Sequence, residues 1–432
     1  MAKSTNLGYP RIGKRRELKR AVEQYWAGKL SEDELHSRAA EVRKAALEVQ
    51  LDAGLNLIPC ADYTYYDHVL ETTCLWGLVP SRFDHQSGGE VSTDTFFAMA
   101  RGDDDTPAME LTKWFDTNYH YLVPEFDAGD PYRATNKPVE LFQEARAILG
   151  ERAKPVILGP VSFVLLGKQH TRSISEHVQQ LVPLYRELLG DFAQAGASWV
   201  QVDEPCLVLD LDDEAREAFA SAYGELSGAG VNIMLQTYFG GLRGNWDTAM
   251  GLPVQGIGLD FVRSPRNLED LNAKGFPEDK VLGAGVVNGR GVWKTDLRAT
   301  LGVLGQIEAQ VPSDRLWIGP SCSMIFLPHD VRDESHEPRL LENLAFAEQR
   351  LDEITLLTKA LNEGAESVGA EFELDDHRQD NTGATLVHPE TQRRLAALTE
   401  DDFRRPEPIK ERLARQQQEL GLPPFPTTTI GS

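Results

Sequence analysis

Short apolar or β-branched runs recur along the chain, each closed by Gly, Pro or an acidic residue and followed by a longer stretch with helical periodicity. Eight stand out: Asn6 to Gly8, Asn56 to Pro59, Pro155 to Leu158, Trp199 to Asp203, Asn232 to Gln236, Ile257 to Phe261, Leu282 to Val287 and Leu316 to Gly319. From the third run onward the spacing leaves room for one strand, one helix and two loops, the unit of a parallel sheet. An open doubly wound sheet and a closed (β/α)8 barrel both produce this alternation; eight units favour the barrel.

The stretch between the second and third runs is too long for one crossover and is rich in aromatic residues, among them Tyr63, Tyr65, Trp76, Phe96, Trp114 and Tyr121. It predicts an ordered insertion. Leu340 to Leu361 carries Leu341, Leu344, Ala347, Leu351, Ile354 and Leu357 at helical spacing, as a last barrel helix requires. From Gly364 to about Glu400 the chain turns polar and acidic, and Arg404 to Leu420 reads as a charged, exposed helix stopped by Gly421. The closing Thr427 to Ser432 echoes Asn6 to Gly13, either as the opening of a second copy of the same fold or as an ordinary terminus.

Composition narrows the partners. The 432 residues hold 67 acidic against 44 basic side chains, a formal charge of -23, which disfavours nucleic acid and anionic membranes. Cys60, Cys74, Cys206 and Cys322 are scattered with no CxxC pair, which fits a reducing cytosol better than a disulfide framework or zinc ribbon. The first residues lack the apolar core of a signal peptide, and no stretch of eighteen apolar residues occurs. A cytoplasmic protein is expected.

Against that acidic background, Arg11 to Arg20 holds six positive side chains and one negative. Arg16, Lys19 and Arg20 share one face of the helix that opens there. Cations at a helix N-terminus are electrostatically misplaced unless an anion docks on the free amides; a merely solvated charge run is the alternative. Lys113 offers a further cation inside the aromatic insertion. Asp203 and Glu204 close the fourth run, where barrel enzymes keep their chemistry, and serve either acid–base work or a rim ion pair. Asp62 and Asp67, after the second run, are placed similarly. Gly283-Ala-Gly285 and Gly319-Pro320 lack the helix-opening context of a dinucleotide motif and read as barrel turns.

Leu7-Gly-Tyr-Pro-Arg-Ile-Gly13, Arg16-Glu-Leu-Lys19, Gln201-Val-Asp-Glu-Pro205, Gln236-Thr-Tyr-Phe239, Gly283-Ala-Gly-Val-Val-Asn288, Gly319-Pro-Ser-Cys-Ser323 and Pro426-Thr-Thr-Thr-Ile-Gly-Ser432 together give a chain that resembles cobalamin-independent methionine synthase over nearly its whole length. The resemblance implies two facing (β/α)8 barrels, of which this sequence holds the first (1–363), a polar segment and inter-barrel linker (364–426) and the opening of a C-terminal catalytic barrel (427–432). It implies methyl transfer from 5-methyltetrahydropteroyl-triglutamate to homocysteine, with zinc in the second barrel holding the thiolate nucleophile. Arg16, Glu17, Leu18, Lys19 and Lys113 would line the folate site, and Ile430, Gly431 and Ser432 the homocysteine site. The places that correspond to the zinc ligands read Gln236 to Phe239, Asp260 and Cys322, too few donors for a tetrahedral site. The expectation is therefore no metal and no catalytic residue in this chain, and no turnover by it alone. The rival expectations are a self-sufficient barrel hydrolase built on Asp203, Glu204 and Asp62 or Asp67, and a non-catalytic docking scaffold.

Overall fold

The computed structural model describes the chain except residues 84, 128, 386 and 428–432 and the side chains of 381–385. Ile430, Gly431 and Ser432, expected to meet homocysteine, lie outside the described residues. The chain forms two compact units, Met1–Asp375 and Asp376–Ser432.

The first unit is built on eight parallel strands: β1 (Lys3–Ser4), β2 (Ile58–Cys60), β5 (Ala153–Leu158), β6 (Trp199–Asp203), β7 (Asn232–Gln236), β8 (Gly256–Asp260), β9 (Val281–Val287) and β10 (Leu316–Pro320). A separate antiparallel hairpin is formed by β3 (Leu111–Lys113) and β4 (His120–Leu122). The large sheet runs β1-β10-β9-β8-β7-β6-β5-β2. Its ends meet through a parallel bridge between Thr5 and Leu57, where the Ser4 carbonyl accepts the amides of Asn56 (3.2 Å) and Leu57 (3.1 Å). The barrel therefore closes, as the eight runs favoured.

Strands covered on both faces are apolar along most of their length, and β8 and β10 are buried at every position. Bulk inside the ring is traded against glycine. A Cβ on Gly258 would lie 2.0 Å from Oε1 of Gln236, so a bare backbone on β8 is what lets the Gln236 side chain lie over that neighbouring strand. Gly283, Gly285 and Gly319 lie within β9 and β10, not in turns as the sequence predicts, because the interior needs residues without side chains there. The outer helices follow their amphipathic pattern. Helix Ile174–Gln194 starts with a Ser173/Glu176 capping box and buries Val178, Leu181, Val182, Tyr185, Leu188, Leu189 and Phe192.

Two sequence expectations shift. The first strand is Lys3–Ser4 instead of Asn6 to Gly8; beyond Thr5 the chain leaves the sheet, and the Asn6 side chain is spent on Gln50 (2.8 Å) and on the Leu7 amide (2.7 Å). The last barrel helix is interrupted, Pro338–Leu341 and then Ala347–Glu363. Over its described residues the aromatic insertion is folded. It contributes helices His68–Leu75 and Thr93–Arg101, the hairpin, and a satellite core in which Tyr65, Phe96, Phe97 and Leu122 pack with Leu18, Val22, Leu35 and Ala39 of the first two helices, Glu17–Trp26 and Glu32–Asp52.

The polar segment is helical over Gly369–Thr385, Pro389–Ala396 and Ile409–Leu420, the last ending with Gly421 at φ 57°. Neither of the last two helices buries a residue.

Candidate functional site

The basic run follows β1 and crosses the end of the barrel where the strands finish. Gly8 O accepts the amide of Met324, Tyr9 lies edge-on to His329 at 5.7 Å, and Lys14 reaches Asp330 (2.8 Å), Glu348 (3.3 Å) and Asp333 (3.4 Å) in the segment after β10. Arg11 turns inward and donates to the Tyr66 carbonyl. The other cations stay outside. Arg16 is the residue before the helix, left-handed at φ 62°, and no side chain caps the helix start. Glu17 accepts the amide of Arg15 at 2.9 Å, so it shapes the turn. Lys19 approaches only Glu23, at 3.7 Å, while Arg15, Arg16 and Arg20 have no ion pair within 4 Å among the described residues. Leu18 differs from its neighbours: it is buried in the satellite core, so its side chain faces away from any surface ligand.

Lys113 stands exposed on β3. No hydrogen bond or ion pair joins it to the helix start among the described residues; the structure brings Arg16, Glu17 and Lys19 together and leaves Lys113 on a separate element.

That hairpin covers the barrel mouth. Trp114 meets His68 at 4.5 Å, Phe115 meets Phe239 at 5.5 Å, and Tyr119 meets Phe326 at 3.9 Å. Asp116, at the turn, grips Arg263 (2.5 Å) and Arg290 (2.6 Å) from the loops after β8 and β9. Ala61, Phe115 and Phe239 hold left-handed backbone (φ 63°, 52° and 73°) around this closure, a conformation that costs L-residues energy and concentrates at built sites. Asp116, Arg263 and Arg290 carry no signal in the sequence; Trp114 stands out there only as one aromatic residue of the insertion.

Under the hairpin lies a chamber of about 100 Å³ that Asp62, His68, Trp114, Asp203, Tyr238 and Phe326 help to line. Asp203 accepts from Gln201 (2.7 Å) and Tyr238 (3.1 Å), and Lys154 below it donates to Gln201 (2.5 Å) and the Asn6 carbonyl (3.0 Å). Desolvation pushes the Asp203 carboxyl up to about 7 and Asp62 up to about 6, and it lowers the Lys154 ammonium to about 8. Glu204 points the other way, as alternation along a strand requires. It accepts the amides of Val161 (3.2 Å) and Ser162 (2.7 Å) and the Tyr223 hydroxyl (2.8 Å). Asp67 caps helix His68–Leu75 and accepts the amides of Val69, Leu70 and Leu122. Glu204 and Asp67 are thus occupied by structure, and Asp203 and Glu204 do not form a facing pair.

The places corresponding to a metal site do not fit one. Asp260 is saturated by the amides of Phe239 (3.0 Å), Val262 (3.0 Å) and Arg263 (2.7 Å), and Cys322 is a buried thiol whose pKa burial raises. Among the described residues no group of three or more His, Cys, Asp or Glu side chains is arranged to hold a metal ion.

The fold is a closed parallel (β/α)8 barrel whose mouth is covered by the β3–β4 hairpin, with an uncapped, cation-rich helix start after β1. The chain belongs to the family described as "Cobalamin-independent synthase, N-terminal domain", whose model matches residues 3–312. It is 46% identical over 445 residues to a Chelativorans sp. (strain BNC1) protein and 42% identical over 439 residues to one from Bacillus subtilis (strain 168). Both are named "5-methyltetrahydropteroyltriglutamate--homocysteine methyltransferase"; the alignments cover 99% and 100% of this chain but 57% of each relative. The chain thus spans little more than half the length of those relatives. In fold it is similar to a B12-independent methionine synthase from Shewanella sp. W3-18-1 (TM-score 0.57, 15% identity, covering 86% of this chain and 98% of that one). A second likeness is to a putative vitamin-B12 independent methionine synthase from Listeria monocytogenes (TM-score 0.54, 15% identity, 84% and 98% covered).

Proposed function

We propose that this chain is the folate-docking half of a cytoplasmic enzyme of methionine biosynthesis, one that moves a methyl group from 5-methyltetrahydropteroyl-triglutamate to homocysteine. The observation that carries the reading is identity of 42–46% along essentially the whole chain to relatives named for that reaction. Supporting it, the Glu17–Trp26 helix starts without a side-chain cap beneath Arg15, Arg16 and Arg20, in a protein whose overall charge repels anions. A triglutamate tail supplies several carboxylates. Arg16 and Lys19 would hold them with Lys113 on the hairpin, Glu17 would set the turn, and Leu18 would contribute backbone alone.

The chemistry itself belongs to the remainder of such an enzyme. Homocysteine is a weak nucleophile until its sulfur is a thiolate, which zinc supplies when bound there. The folate nitrogen leaves only with a proton, and this chain presents no open acid for it at the helix start. In this reading the 432-residue chain has no turnover by itself, and four buried, unpaired cysteines suit a reducing compartment.

Tail length is the test. Isothermal titration should show the triglutamate form binding more tightly than the monoglutamate, by about tenfold at low salt, with the advantage shrinking toward 0.5 M salt. The K19A/K113A double variant should abolish the difference; equal affinity of the two forms for the unaltered chain would end the reading.

A further inference from the structure

The geometry points to a second, internal site: the chamber under the β3–β4 hairpin binds a small aliphatic ammonium ion between Asp62 and Asp203. The charges around it do not balance. Lys154 is the one ammonium between these two carboxylates, and its protons are already directed at Gln201 and the Asn6 carbonyl. Asp203 is served by Gln201 and Tyr238, but Asp62 receives no hydrogen bond or ion pair from another residue among those described. The remaining charged groups cancel: Glu71 pairs with Lys137 at 3.0 Å, and Arg11, which acts on both Asp67 and Asp62, supplies one positive charge against the Asp67 carboxylate, whose oxygens are taken by three amides. His68 is lowered to about 4 by desolvation and stays neutral. One negative charge is left facing the chamber.

The walls select the kind of cation. Trp114, Tyr238, Phe239 and Phe326 line the chamber, and aromatic faces attract organic ammonium ions while offering a metal ion no oxygen ligands. A chamber of about 100 Å³ suits a chain of about five non-hydrogen atoms. An amino acid of that length is disfavoured because, among the described residues, no cation lining the chamber remains unpaired to meet its carboxylate. A proton competes for the same place: Asp62 rises to about 6 and Asp203 to about 7 through desolvation, so ligand affinity should climb from pH 5 to pH 8. The hairpin lies over the chamber and is held there by the Asp116 grip on Arg263 and Arg290, so loosening that grip should speed entry.

The experiment titrates the whole 432-residue chain at pH 8 with n-butylammonium, n-butanol, butyrate and 4-aminobutyrate, by calorimetry and thermal shift. Butylammonium should bind one per chain and raise the melting temperature, at least tenfold more tightly than the other three, and more weakly at pH 5. D62N should lose at least tenfold of that affinity. D116N, which leaves the chamber walls intact, should keep the selectivity and raise the association rate several-fold in stopped-flow fluorescence. Equal binding of butanol, tighter binding of 4-aminobutyrate, or butylammonium binding unaltered in D62N would overturn the assignment.

Discussion

Two adjacent carboxylates show how far a residue's surroundings decide its role. Asp203 and Glu204 leave the same strand end in opposite directions, one into the barrel and one between the outer helices. Each is pushed up to about 7, mainly by desolvation. For Asp203 the folded value lies above the ordinary 3.8, so the fold favours the protonated form. The stability this contributes is complete below about pH 4 and is lost as pH rises through 7. Urea unfolding of D203N and the unaltered chain should therefore diverge in the variant's favour from pH 4 to pH 7, by up to about 1.4 kcal/mol per pH unit. A parallel pair of curves would mean that Asp203 titrates normally. Glu204 is a different test. Its removal in E204A strands the amides of Val161 and Ser162 and the Tyr223 hydroxyl in the core, and should cost about 2–4 kcal/mol at pH 7 by the same measurement.

Among the elements, the hairpin is held by long-range interactions. Asp116 is partly exposed, so each arginine pairing is worth at most about 1 kcal/mol. D116A should accelerate hydrogen exchange of the β3 and β4 amides roughly fivefold, leave β6 to β9 unchanged, and be mimicked in the unaltered chain by 1 M salt. The same long reach explains why the hairpin was illegible in the sequence. Leu111–Lys113 and His120–Leu122 are three residues each, too short for a period, and their place depends on arginines far along the chain. By contrast β6 and β7 fall on the boundaries read from sequence, because each is a short, mostly apolar run closed by a polar residue, Asp203 or Gln236. Lys3–Ser4 had no such signature; β10 recruits it through Trp317 and Ile318. At the site, the basic run was visible by composition, whereas the inward turn of Arg11, the burial of Leu18 and the separation of Lys113 follow from tertiary packing.

At the scale of the whole molecule the open question is where the self-sufficient core ends. Hydrophobic patterning places the boundary at 363, where the last barrel helix stops, and the packing places it at Asp375. The twelve residues between are not a spacer. Val368 and Phe372 are buried in the main core, Arg298 stacks over the Phe372 ring at 5.4 Å, and the Asp375 carboxylate accepts the amide of Leu297 at the start of helix Leu297–Glu308 (3.0 Å). Beyond them the chain carries Phe403, Ile409 and Leu413 in the open. A chain of residues 1–375 should accordingly unfold cooperatively with the stability of the full 432 residues, within about 0.5 kcal/mol. Stopping at residue 363 uncovers the seat of Phe372, removes Val368 and leaves the Leu297 amide without its acceptor. Loss of one buried aromatic costs about 3–5 kcal/mol, so this shorter chain should sit near the threshold of folding. Chemical denaturation of the three lengths decides between the boundaries: equal midpoints for 1–363 and 1–375 would make the intervening helix a passenger, and a large drop at 363 alone makes it part of the barrel.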